Sequence, residues 1–415
     1  MRRVFRWIVR PSNPTLVLVI AILVLAAVVA TGTGFWLLFR LSYVLAFALP
    51  VTWLIAWYNT RGLQVRVDRR TDRGQVGQEA QEVIEVFNTG ILPKLWLEVD
   101  DPSEMSGHSA KRVVIVPPRG SRSWIVDTRL TRRGLFEWGP VTISSSDPFG
   151  FFRRTRTFGE PQQILVYPPV VDLPHFQAPP ANLPGEGRFR RRTHYVTPNA
   201  SGIREYAPGD AFNRIAWKAM ARTDKIMVKT FELDPASDIW IVLDLEQRVN
   251  FGSGDQSTEE YGVRVAASVA RHYLGQNRSV GLISFGRSLQ VVEPERGGQQ
   301  LTRVLESLAM ASAVGEGPLI NVLMEEGNRF GRHTTLIAVT SATDDHWVTG
   351  LQSLVQRGVR VAVVLIDASS FGDSRSPIMV FSELAASNIP TYVVRKDDDL
   401  TAVLSPTGGQ GQWQG

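Results

Sequence analysis

Ile239-Trp240-Ile241-Val242-Leu243-Asp244 is an unbroken apolar run closed by an acid. A strand with no polar alternation suits burial on both faces, as in parallel sheets, rather than a half-solvated sheet. The residues downstream agree. Positions 259–274 place Val263, Ala266, Ala267, Ala270 and Leu274 on one helical face. Apolar strand patterns at 280–285, 335–340, 359–366 and 391–394 then alternate with helical patterns at 299–312, 318–329, 345–356 and 380–387. This order predicts an α/β domain with a parallel sheet covered on both faces. Residues 405–415, rich in Gly and Gln, read as a disordered tail.

Upstream, from 63 to 167, the period changes to two. Leu63-Gln64-Val65-Arg66-Val67, Glu82-Val83-Ile84-Glu85-Val86-Phe87 and Leu95-Trp96-Leu97-Glu98-Val99 alternate, and further short runs follow at 113–116, 123–130, 141–144 and 164–167. Turn signals such as Asn88-Thr89-Gly90 and Arg132-Arg133-Gly134 separate them. About seven short strands at this spacing predict an immunoglobulin-like β-sandwich over 61–170. With no cysteine in the chain, that sandwich has no disulfide, and thiolate metal sites and cysteine nucleophiles are excluded. Residues 171–202 are rich in Pro and Gly and read as a linker. The linker carries Arg188-Phe189-Arg190-Arg191-Arg192, which suits a solvated loop or a contact with anionic lipid or an acidic partner.

Positions 15–30 and 41–58 are free of charge. With their flanks, each reaches the ~20 residues that cross a hydrocarbon core, so residues 1–60 are expected to be a two-helix transmembrane anchor. Thr31-Gly32-Thr33-Gly34 is the expected hairpin turn, Pro50 the expected kink, and Trp36, Trp53, Trp57 and Tyr58 the interfacial rings. Arg2, Arg3, Arg6 and Arg10 precede the first span, and Arg61, Arg66, Arg69, Arg70 and Arg73 follow the second. Positive-inside orientation then puts both ends and all soluble parts on the cytoplasmic side of the inner (plasma) membrane. A net charge of +5 is too mild for a nucleic-acid partner.

The most distinctive stretch is Gly202-Ile203-Arg204-Glu205-Tyr206-Ala207-Pro208-Gly209-Asp210, continuing as AFNRIAWKAMARTDKIMVK through Lys229. Asp210 is a good N-cap for a helix starting at Ala211. Phe212, Ile215, Ala216, Ala219 and Met220 would form its apolar face, and Arg214, Lys218 and Arg222, four apart, a basic ridge beside Trp217. Two readings stand. The ridge and Arg204 could pair with Glu205, Asp210, Glu232 and Asp234, or the ridge with Trp217 could dock an acidic partner. The candidate partner-binding residues are Arg204, Glu205, Tyr206, Asp210, Arg214, Trp217, Lys218 and Arg222.

This segment closely resembles the signature of the bacterial "domain of unknown function 58" family. The resemblance extends to 130–140 (LTRRGLFEWGP), 146–154 (SDPFGFFRR), Val166-Tyr167-Pro168, Val242-Leu243-Asp244 and Thr391-Tyr392-Val393-Val394. It implies a two-helix anchor, a β-sandwich and, over 203–404, the signature segment followed by a von Willebrand factor A-like domain. It also implies partnership with a MoxR-type AAA+ ATPase in assembly or maturation of an unknown client protein. Domains of that type often hold Mg²⁺ through Asp-x-Ser-x-Ser after the first strand, and here the pattern reads Asp244-Leu245-Glu246-Gln247-Arg248. With Glu246 and Arg248 in the serine positions the site is degenerate, so no metal or other cofactor is expected, and Asp244 reads as a structural acid with Arg248 as its candidate partner.

Enzymatic patterns are missing from the sequence. There is no phosphate-binding Gly-rich loop ending in Gly-Lys-Ser/Thr and no Gly-x-Ser-x-Gly elbow. The six histidines, His108 and His194 among them, lie at no metal-ligand spacing. The expectation is a non-enzymatic membrane scaffold. The alternatives are an envelope hydrolase, which would need its soluble part outside, and Mg²⁺-dependent ligand capture near Asp244.

Overall fold

The computed structural model describes residues 14–178, 200–206, 215–223, 225–231, 238–372 and 375–405. The N-terminal arginines, the 188–192 basic run, Asp210, Arg214 and the tail from 406 lie outside the described residues. The chain divides into two compact units, Met1–Tyr167 and Pro168–Gly415.

The first unit opens with α1 (Pro14–Thr33) and α2 (Trp36–Asn59), both long and apolar enough to cross a membrane. Apolar residues occur on every side of both, as in helices surrounded by lipid, and the one charge within them, Arg40 near the start of α2, lies over the Trp36 ring (4.3 Å). The turn is tighter than expected. α1 absorbs Thr31, Gly32 and Thr33, because the two threonine hydroxyls donate back to the Val28 and Val29 carbonyls. Gly34, at φ +69°, then reverses the chain, a conformation open to glycine at no steric cost.

Ten strands follow: β1 (Leu63–Arg69), β2 (Arg73–Gln75), β3 (Glu79–Asn88), β4 (Lys94–Asp100), β5 (Arg112–Val116), β6 (Ser121–Arg129), β7 (Gly134–Trp138), β8 (Val141–Ser146), β9 (Arg153–Phe158) and β10 (Gln162–Tyr167). The expected set lacked β2, β7 and β9. Sheets β1-β3-β6 and β5-β4-β8-β9 face each other as a sandwich. Ile84, Val86 and Trp124 from one sheet meet Leu97, Val99 and Ile143 from the other. The third sheet, β2-β10-β7, closes a smaller core of Leu130, Trp138, Ile164 and Val166.

α2 ends inside this β structure. Asn59 Nδ2 donates to the Leu95 carbonyl and Ser145 Oγ, and Arg156 donates to the Thr60 carbonyl (2.9 Å). Lys94 is buried, donates to the Tyr58 carbonyl (2.6 Å) and lies 3.5 Å from the Tyr58 ring centre. A cation at a helix C-terminus is favourable. Burial nevertheless pushes the Lys94 ammonium down to about 8.

In the second unit, the expected linker differs at its start. Leu173 and Phe176 are buried in the α/β core, and the Tyr392 hydroxyl donates to the Gln177 carbonyl. Residues 170–178 are therefore a strap on the α/β domain. The strands β11 (Ala200–Glu205) and β12 (Met227–Phe231) pair antiparallel, with α3 (Trp217–Thr223) between them in sequence.

The remaining elements are β13 (Asp238–Asp244), a ribbon of β14 (Gly252–Ser253) and β15 (Gln256–Ser257), α4 (Thr258–Gly275), β16 (Val280–Phe285), β17 (Leu289–Glu295), α5 (Gly298–Met310), α6 (Leu319–Glu325), β18 (Thr334–Thr340), α7 (His346–Gln356), β19 (Arg360–Ile366), α8 (Ile378–Ala386), β20 (Thr391–Val394) and α9 (Leu400–Val403). The sheet order is β17-β16-β13-β18-β19-β20, parallel except for the edge strand β17. β17 was not foreseen. Along β13, Ile239, Ile241 and Leu243 pack toward α4, while Trp240 and Val242 pack toward α6 and α7. The two-residue period of a strand thus feeds two separate cores, which is why the run has no polar position.

Candidate functional site

The signature segment was expected to form a helix from Ala211. The described helix, α3, begins only at Trp217. Ile215 instead forms a β-bridge with Val228, and the Ala216 N–H donates to the Met227 carbonyl (2.8 Å). Ile215 and Ala216 are buried by that pairing rather than on a helix face. Lys218 and Arg222 are exposed on the outer turns of α3, and Trp217 is 66% exposed. Glu205 pairs with Lys225 (2.5 Å), and the Tyr206 N–H donates to the Ile226 carbonyl (2.9 Å). Among the described residues, Lys218 and Arg222 make no ion pair, while Asp210, Glu232 and Asp234, three of the four acids expected to pair with the ridge, lie outside the described residues. Arg204 is described in backbone only, as part of β11, and Asp210 and Arg214 lie outside the described residues.

The carboxyl end of β13 differs from expectation in one contact. Asp244 is held not by Arg248 but by Thr340, whose hydroxyl donates to Oδ2 (2.6 Å), and by the Glu246 N–H, which donates to Oδ1 (3.0 Å). Burial raises Asp244 to about 6, against the lowering effect of those two donors. Burial, followed by the charge of Asp344, also raises Glu246. The Ser341 hydroxyl is turned to the Val249 carbonyl (2.6 Å). The Asp244 carboxylate and the Thr340 and Ser341 hydroxyls are thus engaged in closing the loop.

The densest polar cluster of the described residues lies in the first unit, among residues not marked as a site in the sequence. Glu82 on β3, Asp101 just past β4 and His108 bring one ligand atom each within 4.8 Å of one another. Arg69 on β1 bridges the acids, at 3.4 Å from Glu82 Oε2 and 2.7 Å from Asp101 Oδ2. His108 contacts the Thr128 hydroxyl and the Asp101 carbonyl, each at 2.8 Å. Glu82 and Asp101 are buried side by side, and no N–H or hydroxyl donor among the described residues reaches Glu82 Oε1 or Asp101 Oδ1.

The donor set fits a proton better than a metal ion. Both His108 nitrogens are already engaged, and Arg69 supplies the counter-cation. Burial, then the neighbouring Asp101, pushes Glu82 up to about 8 despite Arg69. Glu82 is thus a neutral acid at pH 7, able to donate where an ionised carboxylate could only accept. The cluster is closed to solvent and ties strands of separate sheets together. One sequence signal was available: Ala80, Glu82, Ile84 and Val86 share the inward face of β3, so Glu82 is an acid on an apolar stripe.

Comparison with known proteins bears on the signature segment directly. Residues 202–371 match the family described as "Protein of unknown function DUF58". The Bacillus subtilis protein named "Uncharacterized protein YeaD" is 23% identical over 354 residues, covering 82% of this chain and 85% of that protein. An uncharacterized protein of Mycobacterium tuberculosis is 28% identical over 174 residues, which span 40% of this chain and 53% of the relative. Among solved structures, the CARDB domain of a Pyrococcus furiosus protein aligns with 25% of this chain and 86% of that chain at 15% identity. Its TM-score of 0.19 is too low to bear on the fold. The chain carries a DUF58-family domain, spanning the β11–β12 signature segment and most of the α/β sheet.

Proposed function

We propose that this protein is a membrane-anchored, non-enzymatic scaffold that presents its DUF58 segment to a MoxR-type AAA+ ATPase during assembly or maturation of a client. In this reading the sandwich is immunoglobulin-like, and the α/β unit is a von Willebrand factor A-like module whose metal site has been lost. The soluble units lie on the cytoplasmic face, following the arginines that flank α1 and α2.

The observation that carries the reading is Trp217. A tryptophan left 66% exposed beside two exposed cations, in the segment that marks the family, is the composition of an interface anchor. The closed hydrogen bonding around Asp244 supports surface docking over ion-dependent capture.

The test is co-purification of the ATPase with full-length protein carrying Trp217→Ala, or Lys218→Ala with Arg222→Ala. Loss of co-purification, with the thermal unfolding profile unchanged, is the expected result. Wild-type recovery of the ATPase by both variants would remove the interface from α3.

A further inference from the structure

α2 joins the β-sandwich without a flexible linker, so the direction of each sandwich loop relative to α2 is set. Arg156 on β9 donates to the Thr60 carbonyl, just past the helix end. Arg154, two residues earlier, lies over the Trp53 ring at 5.6 Å. Trp53 precedes Thr60 by about 10 Å of helix, at ~1.5 Å per residue. Read from Arg156 to Arg154, β9 therefore runs back along α2, toward the middle of the apolar span. The β8–β9 turn lies beyond Arg154 in that same direction.

That turn is Asp147-Pro148-Phe149-Gly150-Phe151-Phe152. Asp147 is buried, and its carboxylate accepts the Phe149 and Phe152 N–H groups at 3.0 and 2.6 Å. The turn is thereby held in one shape, and Phe149 projects from it 66% exposed, stacked on Phe151 with ring centres 5.6 Å apart. A second apolar loop flanks the same helix end. The Leu92 N–H donates to the Tyr58 hydroxyl (3.2 Å), and Ile91 beside it is 70% exposed. Arg61 stacks on Trp57 (4.1 Å), so cations and rings alternate around this end of α2.

We propose that the β8–β9 turn and the Ile91-Leu92 loop form a membrane-docking edge that seats Phe149, Ile91 and Leu92 in the headgroup layer of the bilayer that α2 crosses. The proposal rests on α1 and α2 spanning that bilayer. α2 has 24 residues, about 36 Å against a hydrocarbon core of about 30 Å. Its last turns, with Trp53, Trp57 and Tyr58, then fall in the interfacial zone where such rings collect. A turn reaching past Trp53 along the helix enters the same zone. Lipid is the occupant the geometry favours, because a soluble partner would have to reach this edge through the headgroups. Arg61 and Arg154, lying over Trp57 and Trp53, are the guanidinium groups of this edge that can pair lipid phosphates.

The absence of cysteine allows a direct test in the full-length chain. Single variants Phe149→Cys, Ile91→Cys, Ile125→Cys and Val24→Cys are labelled with an environment-sensitive fluorophore. They are then reconstituted into vesicles of phosphatidylethanolamine and phosphatidylglycerol, with and without spin-labelled lipids. Positions 149 and 91 are expected to show blue-shifted emission and quenching by lipids labelled near the headgroup. Ile125, exposed on β6, is expected to stay water-like, and Val24 in α1 to be quenched by lipids labelled deep in the chain. Deep quenching at 24 with water-like emission at both 91 and 149 would overturn the docking edge while leaving the anchor intact. Water-like emission at 24 as well would overturn the anchor and the docking edge together.

Discussion

Glu82→Gln gives a direct reading of the buried Arg69–Glu82–Asp101–His108 cluster. In the folded chain Glu82 holds its proton up to about pH 8, against an ordinary value of 4.5. Between these limits the folded state binds more protons than the unfolded state. Stability from this group is therefore complete below about pH 4.5 and is lost as pH rises toward 8. The interval is about 3.5 pH units, and at ~1.4 kcal/mol per unit it amounts to about 5 kcal/mol as a ceiling. The pH 5–8 window covers less than that whole interval, which lowers the expected figure to about 3 kcal/mol. Gln keeps the shape and cannot ionise. Chemical unfolding of full-length protein in detergent, followed between pH 5 and 8, should show the wild-type midpoint falling with pH. In Glu82→Gln this fall should be shallower by about 3 kcal/mol. Asp244 titrates in the same window, so the difference between the two proteins is the relevant quantity. Identical pH slopes in both would refute the protonated-acid reading.

Other perturbations have definite outcomes. Lys94→Ala removes a buried ammonium together with its charge-assisted hydrogen bond to the Tyr58 carbonyl, for a loss of about 1.5–3 kcal/mol in denaturant unfolding at pH 7. Because Lys94 is depressed to about 8, wild-type stability should also grow as pH rises from 8 to 10.5, and the variant should lack that growth. Gly252 sits at φ +90°, where an added Cβ would lie 2.5 Å from the Gln256 carbonyl oxygen. Gly252→Ala should cost about 1–3 kcal/mol and raise hydrogen exchange at the start of α4, because it strains the ribbon that delivers the Ser257 cap.

The α/β unit was legible where burial imposed a period. β13 could be read from its unbroken apolar run, and α4 from Val263, Ala266, Ala267 and Ala270, because two-sided cover and a helix face leave those marks. β17 escaped because it is an edge strand, partly exposed along its length and carrying Pro294. β9 escaped because Arg153-Arg154-Thr155-Arg156-Thr157-Phe158 has no apolar alternation, its side chains being mostly exposed. In the signature segment, local helix signals at Asp210 and Ala211 extended the expected helix over Ile215 and Ala216. Pairing with β12 prevails at those two residues, an instance of tertiary contacts overriding propensity. The polar cluster could not be assembled from sequence. Arg69, Glu82, Asp101 and His108 stand at no recognisable motif spacing, and it is the β1–β3 register and the loop after β4 that bring them together.

We propose that paired apolar helices hold both soluble units at the cytoplasmic surface, with α3 open to a cytosolic ATPase. Protease protection in spheroplasts tests it most directly, with antibodies against one site in each soluble unit. Both units should stay intact until the membrane is lysed and then be degraded. Digestion of either unit in intact spheroplasts would place it outside the cell and contradict the claim.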